Sequence, residues 1–392
     1  MRRRPVLVLA LAAALVTTLS AGSCAPNSTP QAEQTPDGDV SYEDVPTAYP
    51  STDPKDRQTV VPVPKGTSPR GVEFADAGTG YALFTSCVAG TTCKAGLALT
   101  LDGGASWVAR DLPFNDALDI DMRLGRGNVL ILKAAPDGYF ISRDTGRTFE
   151  RRPLTPPPVE LNLADQQYSV GCQDPAANGC ADAQPWVVGD DGSRAPLPAR
   201  PSGQHEWTGL AAAADGTLWL TARSPGGAAG SSPAGGTTVS VWSSSDHGHT
   251  WKAQGSTLAP QADAVVRPYV SPDGRDVWLV GPQFAARMVA GSASNSSTAA
   301  AWSESTAMRE VTQVFSAEVL PGHRLLVASG QGVWLVDERQ RVRDTEARLI
   351  FRLRRIDATT ILGYPAQQSG DVWLCTVGDQ GCDWVHVGVS AR

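Results

Sequence analysis

Apolar residues in this chain come in short runs of four to eight, each ended by a turn rich in Gly, Asp or Pro, and no segment holds a helical period. GVEF, GYALFTSC, KAGLALTL, NVLILKA, GYFIS, QPWVVG, TLWLTA, VSVWSS, DVWLVG, RLLVAS, GVWLVD and DVWLC follow one another in this way. That rhythm predicts an all-β body built from many short strands. Two low-complexity runs, Ser224 to Gly236 and Gly291 to Thr298, interrupt it and are expected as long loops between strands.

Two features recur within the rhythm. One is a Trp-containing strand after a glycine turn, at Trp219, Trp278, Trp334 and Trp373. The other is the turn S/T-x-D-x-G-x-S/T-W/F. It occurs as Thr100 to Trp107, Ser142 to Phe149 and Ser244 to Trp251, and a worn copy is read at Gly189 to Gly192. The chemistry explains the residue types. The Asp carboxylate accepts N–H groups of the turn it opens, and Gly takes a positive φ that a Cβ would penalise. The hydroxyls add local hydrogen bonds, and the closing Trp or Phe is large enough to anchor the turn in a core. Asp102, Gly104, Trp107, Asp144, Gly146, Phe149, Asp246, Gly248 and Trp251 are therefore structural candidates.

These three segments resemble the Asp-box, or BNR, repeats of the sialidase superfamily. The resemblance implies a β-propeller in which each box forms the turn between the third and fourth strands of a blade, away from the substrate funnel. The Asp102 to Asp144 spacing of 42 residues is one blade, and the 102 residues from Asp144 to Asp246 are two. At roughly 40–50 residues per blade, the body from 58 to 392 fits seven four-stranded blades best, with six or eight also compatible. The expected divisions are 65–113, 114–156, 157–204, 205–258, 259–312, 313–346 and 347–392. The strand Thr59 to Pro64 is expected to pair into the last blade and close the ring, which removes exposed sheet edges.

The N-terminus is set apart from this body. Arg2, Arg3 and Arg4 precede an apolar run, Val6 to Leu19, and small residues lead into Cys24. This is a secretory signal over residues 1–23. The stretch Ala21-Gly22-Ser23-Cys24 resembles the lipobox of bacterial lipoproteins, with Ala21 in place of the usual leucine; the resemblance implies lipidation of Cys24. The alternative is a soluble secreted protein with one free thiol. Residues 24–57, rich in Pro, Ser, Thr and acids, form the expected tether. The expected location is the outer face of the cytoplasmic membrane, held by the lipid alone, or else secreted.

The remaining six of the seven cysteines form close pairs: Cys87/Cys93, Cys172/Cys180 and Cys375/Cys382. Export and short turn-like intervals predict three disulfides. The spacing suits no metal site, and His247 and His249 fall on the variable positions of a surface turn. From Cys24 onward 30 basic residues face 40 acidic ones, which argues against nucleic acid as a partner. No cofactor motif occurs.

Two functions remain. The first is a monomeric, non-catalytic binding or scaffold module for a cell-envelope glycan or protein. Its candidate ligand-binding residues, expected near the starts of inner strands, are Arg70, Asp119, Glu160, Glu206, Arg267 and Arg352. The second is the activity that the resemblance implies, an exo-sialidase or related glycoside hydrolase. Such an enzyme uses a Tyr nucleophile backed by Glu, an Asp acid/base and three arginines on the substrate carboxylate. Arg70 in SPRGV stands where the first arginine is expected, without the aromatic, Ile and Pro neighbours. Arg267 and Arg352 would complete the clamp, and Tyr269 or Tyr364 would be the nucleophile.

Overall fold

A computed structural model describes residues 55–392 apart from 89, 116, 126, 163–166, 173–182, 190–192, 204, 225–235, 262–263, 289–301, 338, 340–341, 346, 348–349 and 367–369. The chain begins with β1 (Asp56–Val61). Blade 1 then holds β2 (Ser68–Phe74), β3 (Gly80–Ser86), β4 (Lys94–Thr100) and β5 (Val108–Arg110). Blade 2 holds β6 (Asp119–Gly125), β7 (Val129–Ala135), β8 (Gly138–Ser142) and β9 (Glu150–Arg152). The short helix α1 (Val159–Asn162) leads into blade 3, with β10 (Tyr168–Gly171), β11 (Gln184–Val188) and β12 (Arg194–Pro196). Blade 4 is β13 (Glu206–Ala212), β14 (Leu218–Arg223), β15 (Thr237–Ser244) and β16 (Lys252–Ala259). Blade 5 is β17 (Arg267–Val270), β18 (Val277–Gly281), β19 (Phe284–Met288) and β20 (Trp302–Glu304). Blade 6 is β21 (Val314–Leu320), β22 (Arg324–Ser329), β23 (Gly332–Val336) and β24 (Val342–Asp344). Blade 7 is β25 (Ile350–Arg355), β26 (Thr360–Pro365), β27 (Asp371–Gly378) and β28 (Gly381–Ala391).

Apart from β1, each sheet is a sequential antiparallel meander, and the described residues form seven of them. Apolar clusters fill the seams between consecutive sheets. One joins blades 1 and 2 through Leu83, Leu97, Ile120 and Leu132. Others join blades 4 and 5, 5 and 6, and 6 and 7. Phe74, Phe84, Leu374 and Val387 join blade 7 back to blade 1. The protein is a seven-bladed β-propeller. Its blades fall within the divisions expected from the spacing of the turns, except that β16 runs one residue past 258.

Packing on both faces explains why the runs are continuous and not alternating. The second strands β14, β18 and β22 are buried over nearly their whole length, as is the third strand β8. The outer strands β5, β9 and β12 are short and largely exposed. Burial thus peaks in the middle strands of a blade and falls both toward the channel, where β13 and β17 are only partly covered, and toward the rim, and the apolar runs follow it.

Ring closure differs from the expectation in two ways. β1 starts at Asp56, so the tether ends earlier than residue 57. It also pairs in parallel with β28 as a fifth, outermost strand, because the C-terminus already supplies all four strands of blade 7. Arg57 on this strand donates to the Gly103 carbonyl of blade 1 at 2.7 Å, tying last blade to first.

The three repeated turns join the third and fourth strands of blades 1, 2 and 4, with one hydrogen-bond pattern. Asp102 Oδ1 accepts the Ser106 N–H at 2.9 Å and the Thr100 hydroxyl at 2.7 Å. Asp144 accepts the Thr148 N–H at 2.9 Å, and Asp246 accepts the Thr250 N–H at 2.8 Å. Gly104, Gly146 and Gly248 have φ of 88°, 76° and 87°. Trp107 packs edge-on against Phe74, while the Trp251 indole donates to the Ala199 carbonyl of blade 3. The worn copy falls between β11 and β12, with residues 190–192 outside the described set.

A second set of Asp turns, not expected from the sequence, caps the first hairpins of several blades. Asp76 accepts the N–H groups of Gly78 and Thr79, Asp215 that of Thr217, Asp273 that of Arg275 and Asp357 that of Thr359. The signal was present as an Asp followed within three residues by Gly or Thr.

Cys87–Cys93 and Cys375–Cys382 are disulfide-bonded as expected. Cys172 is also in a disulfide, while Cys180 lies outside the described residues. Residues 1–23, Cys24 and most of the tether lie outside them too, as do the two low-complexity runs except Ser224 and Gly236.

Candidate functional site

In a four-stranded meander the first and third strands run the same way. The turns after them therefore share one end of the ring, and the inner strands start at the other. The repeated Asp turns mark the first end; the second is the mouth of the central channel. A cavity of about 1430 Å³ occupies this channel, lined by β10 of blade 3 and by the inner strands β13, β17, β21 and β25 of blades 4 to 7.

Four predicted residues meet there: Glu206, Arg267, Tyr269 and Arg352 line the cavity. Glu206, at the start of β13, is ion-paired with Arg223 of β14. Arg267 opens β17 and is exposed. Tyr269 follows two residues later, so its side chain leaves the same face. Burial pushes its hydroxyl above the usual tyrosine range, against the opposing charge of Arg267. Arg352 is exposed on β25, with its guanidinium 5.4 Å from the centre of the Tyr364 ring.

Arg70 and Asp119 sit on inner strands but outside the cavity lining. Arg70 is exposed at a β-bulge in β2, and Asp119 is paired with Lys133 at 2.8 Å. Glu160 departs from the expectation. It lies in α1, not on an inner strand, and is ion-paired with Arg143 of the blade 2 turn, at the end of the ring opposite the mouth. Pro156 to Pro158 and the helical stretch after them take the place of the extended strand that the rhythm suggested.

Tyr364 is also placed elsewhere. It belongs to β26, and its hydroxyl donates to Glu73 Oε2 of β2 at 2.6 Å, across the seam between blades 7 and 1. Arg354 stands 3.4 Å from the same carboxylate and donates to the Phe74 carbonyl at 3.0 Å. Desolvation raises the Glu73 pKa, while Arg354 and the Tyr364 hydroxyl pull it down. Burial, and then the Glu73 charge, hold the Tyr364 hydroxyl well above the usual tyrosine range.

The next seam carries a similar pair. Arg355 stands 3.5 Å from Glu318 of blade 6 and donates to the Val319 carbonyl at 2.7 Å. Glu318 lines the cavity, and burial raises its pKa against the charge of Arg355. Glu73, Glu318, Arg354, Arg355 and Arg223 were not singled out from the sequence. The FRLRR run showed the arginines, but their partners lie far away along the chain.

Around the mouth the lining turns aromatic. His205 and Trp207 line the cavity beside Glu206, and Trp242 of β15 packs behind them. Phe315 and Phe351 stack at a centroid distance of 4.3 Å between blades 6 and 7. Thr208, Phe315 and Phe351 each occupy a β-bulge, as Arg70 does, and bulges re-aim side chains. Among the described residues no cluster of three His, Cys, Asp or Glu is arranged for a metal. His247, instead, faces the Tyr168 hydroxyl at 3.4 Å.

Compared with protein-family models and with curated proteins, the chain matches none. Among solved structures it is similar to YCF48 bound to D1 peptide, with 14% identity, a TM-score of 0.42 and coverage of 82% of this chain and 95% of that one. It is similar to YCF48 from Cyanidioschyzon merolae at 12% identity and TM-score 0.42, covering 81% and 97%. A streptogramin B lyase gives 12% and 0.35, covering 81% and 92%. Likenesses this distant carry no function, and the propeller assignment rests on the strand order and seams described above.

Proposed function

We propose that this protein is an exported, lipid-anchored binding module whose propeller presents its channel mouth to a cell-envelope glycan or protein without turning it over. The three repeated turns are read as Asp boxes of the sialidase superfamily, serving here as corner pieces. One observation carries the reading: the carboxylates of the cavity are already engaged. Glu206 is held by Arg223 and Glu318 by Arg355. A general acid must exchange its proton with substrate, which a carboxylate held against a guanidinium does poorly.

The competing reading, an exo-sialidase, draws on the Tyr364–Glu73 pair with Arg352 and Arg354 beside it. Against it, Tyr364 packs into the core of the blade 7–blade 1 seam and is not part of the cavity lining. Incubation with a fluorogenic sialoside and a glycoside panel separates the two. Release of fluorophore that Tyr364→Phe abolishes, in a variant that still folds, overturns the binding-module reading. Retention of the intact protein on purified cell envelopes with no turnover supports it. Cys24→Ala is expected to move the protein from the membrane to the soluble fraction.

A further inference from the structure

The aromatic group at the mouth of blade 4 is built with more care than a core needs. Trp207 is the second residue of β13, just before its bulge, and Thr208 in the bulge donates to the Val266 carbonyl of blade 5 at 2.6 Å. His205 Nε2 lies 2.9 Å from the Ser202 carbonyl; a carbonyl only accepts, so this nitrogen carries the proton. The His205 and Trp207 ring centres are 5.1 Å apart, and Trp242 backs both at 4.8 and 5.8 Å with steep tilts. Trp207 is thus fixed in place before any ligand arrives.

The ring is also left open to the cavity. Trp107, Trp186, Trp251, Trp302 and Trp334 each donate their indole N–H to a protein acceptor. Among the described residues, Trp207 lines the cavity and gives its indole N–H to no protein acceptor, as Trp219, Trp278 and Trp384 also do not, but those three are buried. Beside it stands the ion pair of Glu206 and Arg223, lining the same cavity. Gly209 keeps the neighbouring backbone clear, since a Cβ there would meet Pro268 at 2.5 Å.

Three ligand classes meet this geometry differently. A quaternary ammonium fits poorly: a cation sits up to about 6 Å from each ring centre, so rings enclosing one stand farther apart than these, which touch one another. A proline-rich peptide wants parallel aromatic ridges along an extended groove. Here a single indole faces the cavity and its neighbours tilt away. A sugar ring fits best. A pyranose of gluco configuration holds its hydroxyls equatorial, which leaves flat C–H faces for an indole and a rim of hydroxyls for in-plane donors and acceptors.

We propose that Trp207 is the floor of a carbohydrate subsite at the channel mouth, which takes a β-linked, gluco-configured pyranose while Glu206 and Arg223 bond its hydroxyls. This rests on the binding-module reading and names its ligand class. The site is separate from the Tyr364–Glu73 seam.

The test titrates the whole protein with cellotetraose and with the tetramer of N-acetylglucosamine, by calorimetry and by saturation-transfer NMR. Binding of at least one is expected, with saturation strongest on the axial ring protons. Trp207→Ala should weaken it at least about tenfold, Trp207→Phe should retain most of it, and Val108→Ala on β5 should leave it unchanged. Thermal melts confirm that each variant is folded. Binding indifferent to Trp207→Ala overturns this inference while leaving the module reading in place. So does the lack of any binding up to about 10 mM, far above a functional Kd, provided the protein is still retained on cell envelopes. A proline-rich peptide that binds through Trp207 and excludes the sugar also overturns it. Hydrolysis of the oligosaccharide would overturn the module reading and keep the subsite.

Discussion

The Tyr364 hydroxyl and the Glu73 carboxylate meet at 2.6 Å although 291 positions separate them in the chain. They form the polar centre of the seam where the last blade meets the first, with Arg354 supplying the counter-charge. Tyr364→Phe removes one donor from a nearly buried acceptor and is expected to cost about 1–2 kcal/mol of stability. Chemical denaturation measures it. A variant as stable as the parent would show that the seam draws nothing from this bond.

Glycines of the repeated turns should differ in sensitivity. A Cβ on Gly104 would lie 2.4 Å from Val387 of the neighbouring blade, whereas on Gly146 the nearest atoms stand at 3.7 Å. Both have positive φ. Gly146→Ala is expected to cost about 1–2 kcal/mol from backbone strain alone, and Gly104→Ala roughly twice that, because overpacking adds to it. Thermal melts of the two variants, run side by side, give the comparison.

Acid should unfold the ring through the same turns. The Thr148 hydroxyl and N–H hold Asp144 down to about 2, and Thr250 holds Asp246 lower still. Groups with depressed folded pKa values add stability above the ordinary carboxylate range, near 4, and lose it as pH falls through the folded value. Glu73 and Glu318 act in the opposite sense, since burial raises their pKa values and their ionised forms cost stability as pH rises. Denaturation midpoints between pH 5 and 2 should therefore fall steeply below about pH 4. Asp144→Asn together with Asp246→Asn should flatten that fall.

The fifth strand gives a local prediction. His386 of β28 lies 3.0 Å from Asp56 and 3.6 Å from Asp371, and Arg57 reaches across to blade 1. Arg57→Ala with His386→Ala is expected to raise hydrogen exchange in β1 by at least about tenfold, with blades 3 to 5 unchanged. Uniform exchange across the chain would place the closure elsewhere.

What the chain determined by itself is what its local hydrogen bonds and run lengths determine. The three Asp turns close on partners four residues away, so Asp102, Asp144 and Asp246 were legible with their roles, and their spacing set the blade divisions. The disulfides at Cys87–Cys93 and Cys375–Cys382 were legible for the same reason. Only the tertiary structure decided which distant groups share a seam. Arg354 finds Glu73, Arg355 finds Glu318, and Tyr364 turns from a candidate nucleophile into a buried donor. Glu160 moved to the opposite end of the ring through a four-residue helix that no period announced. Side-chain pairing across blades depends on closing the circle, and no short stretch of sequence carries that information.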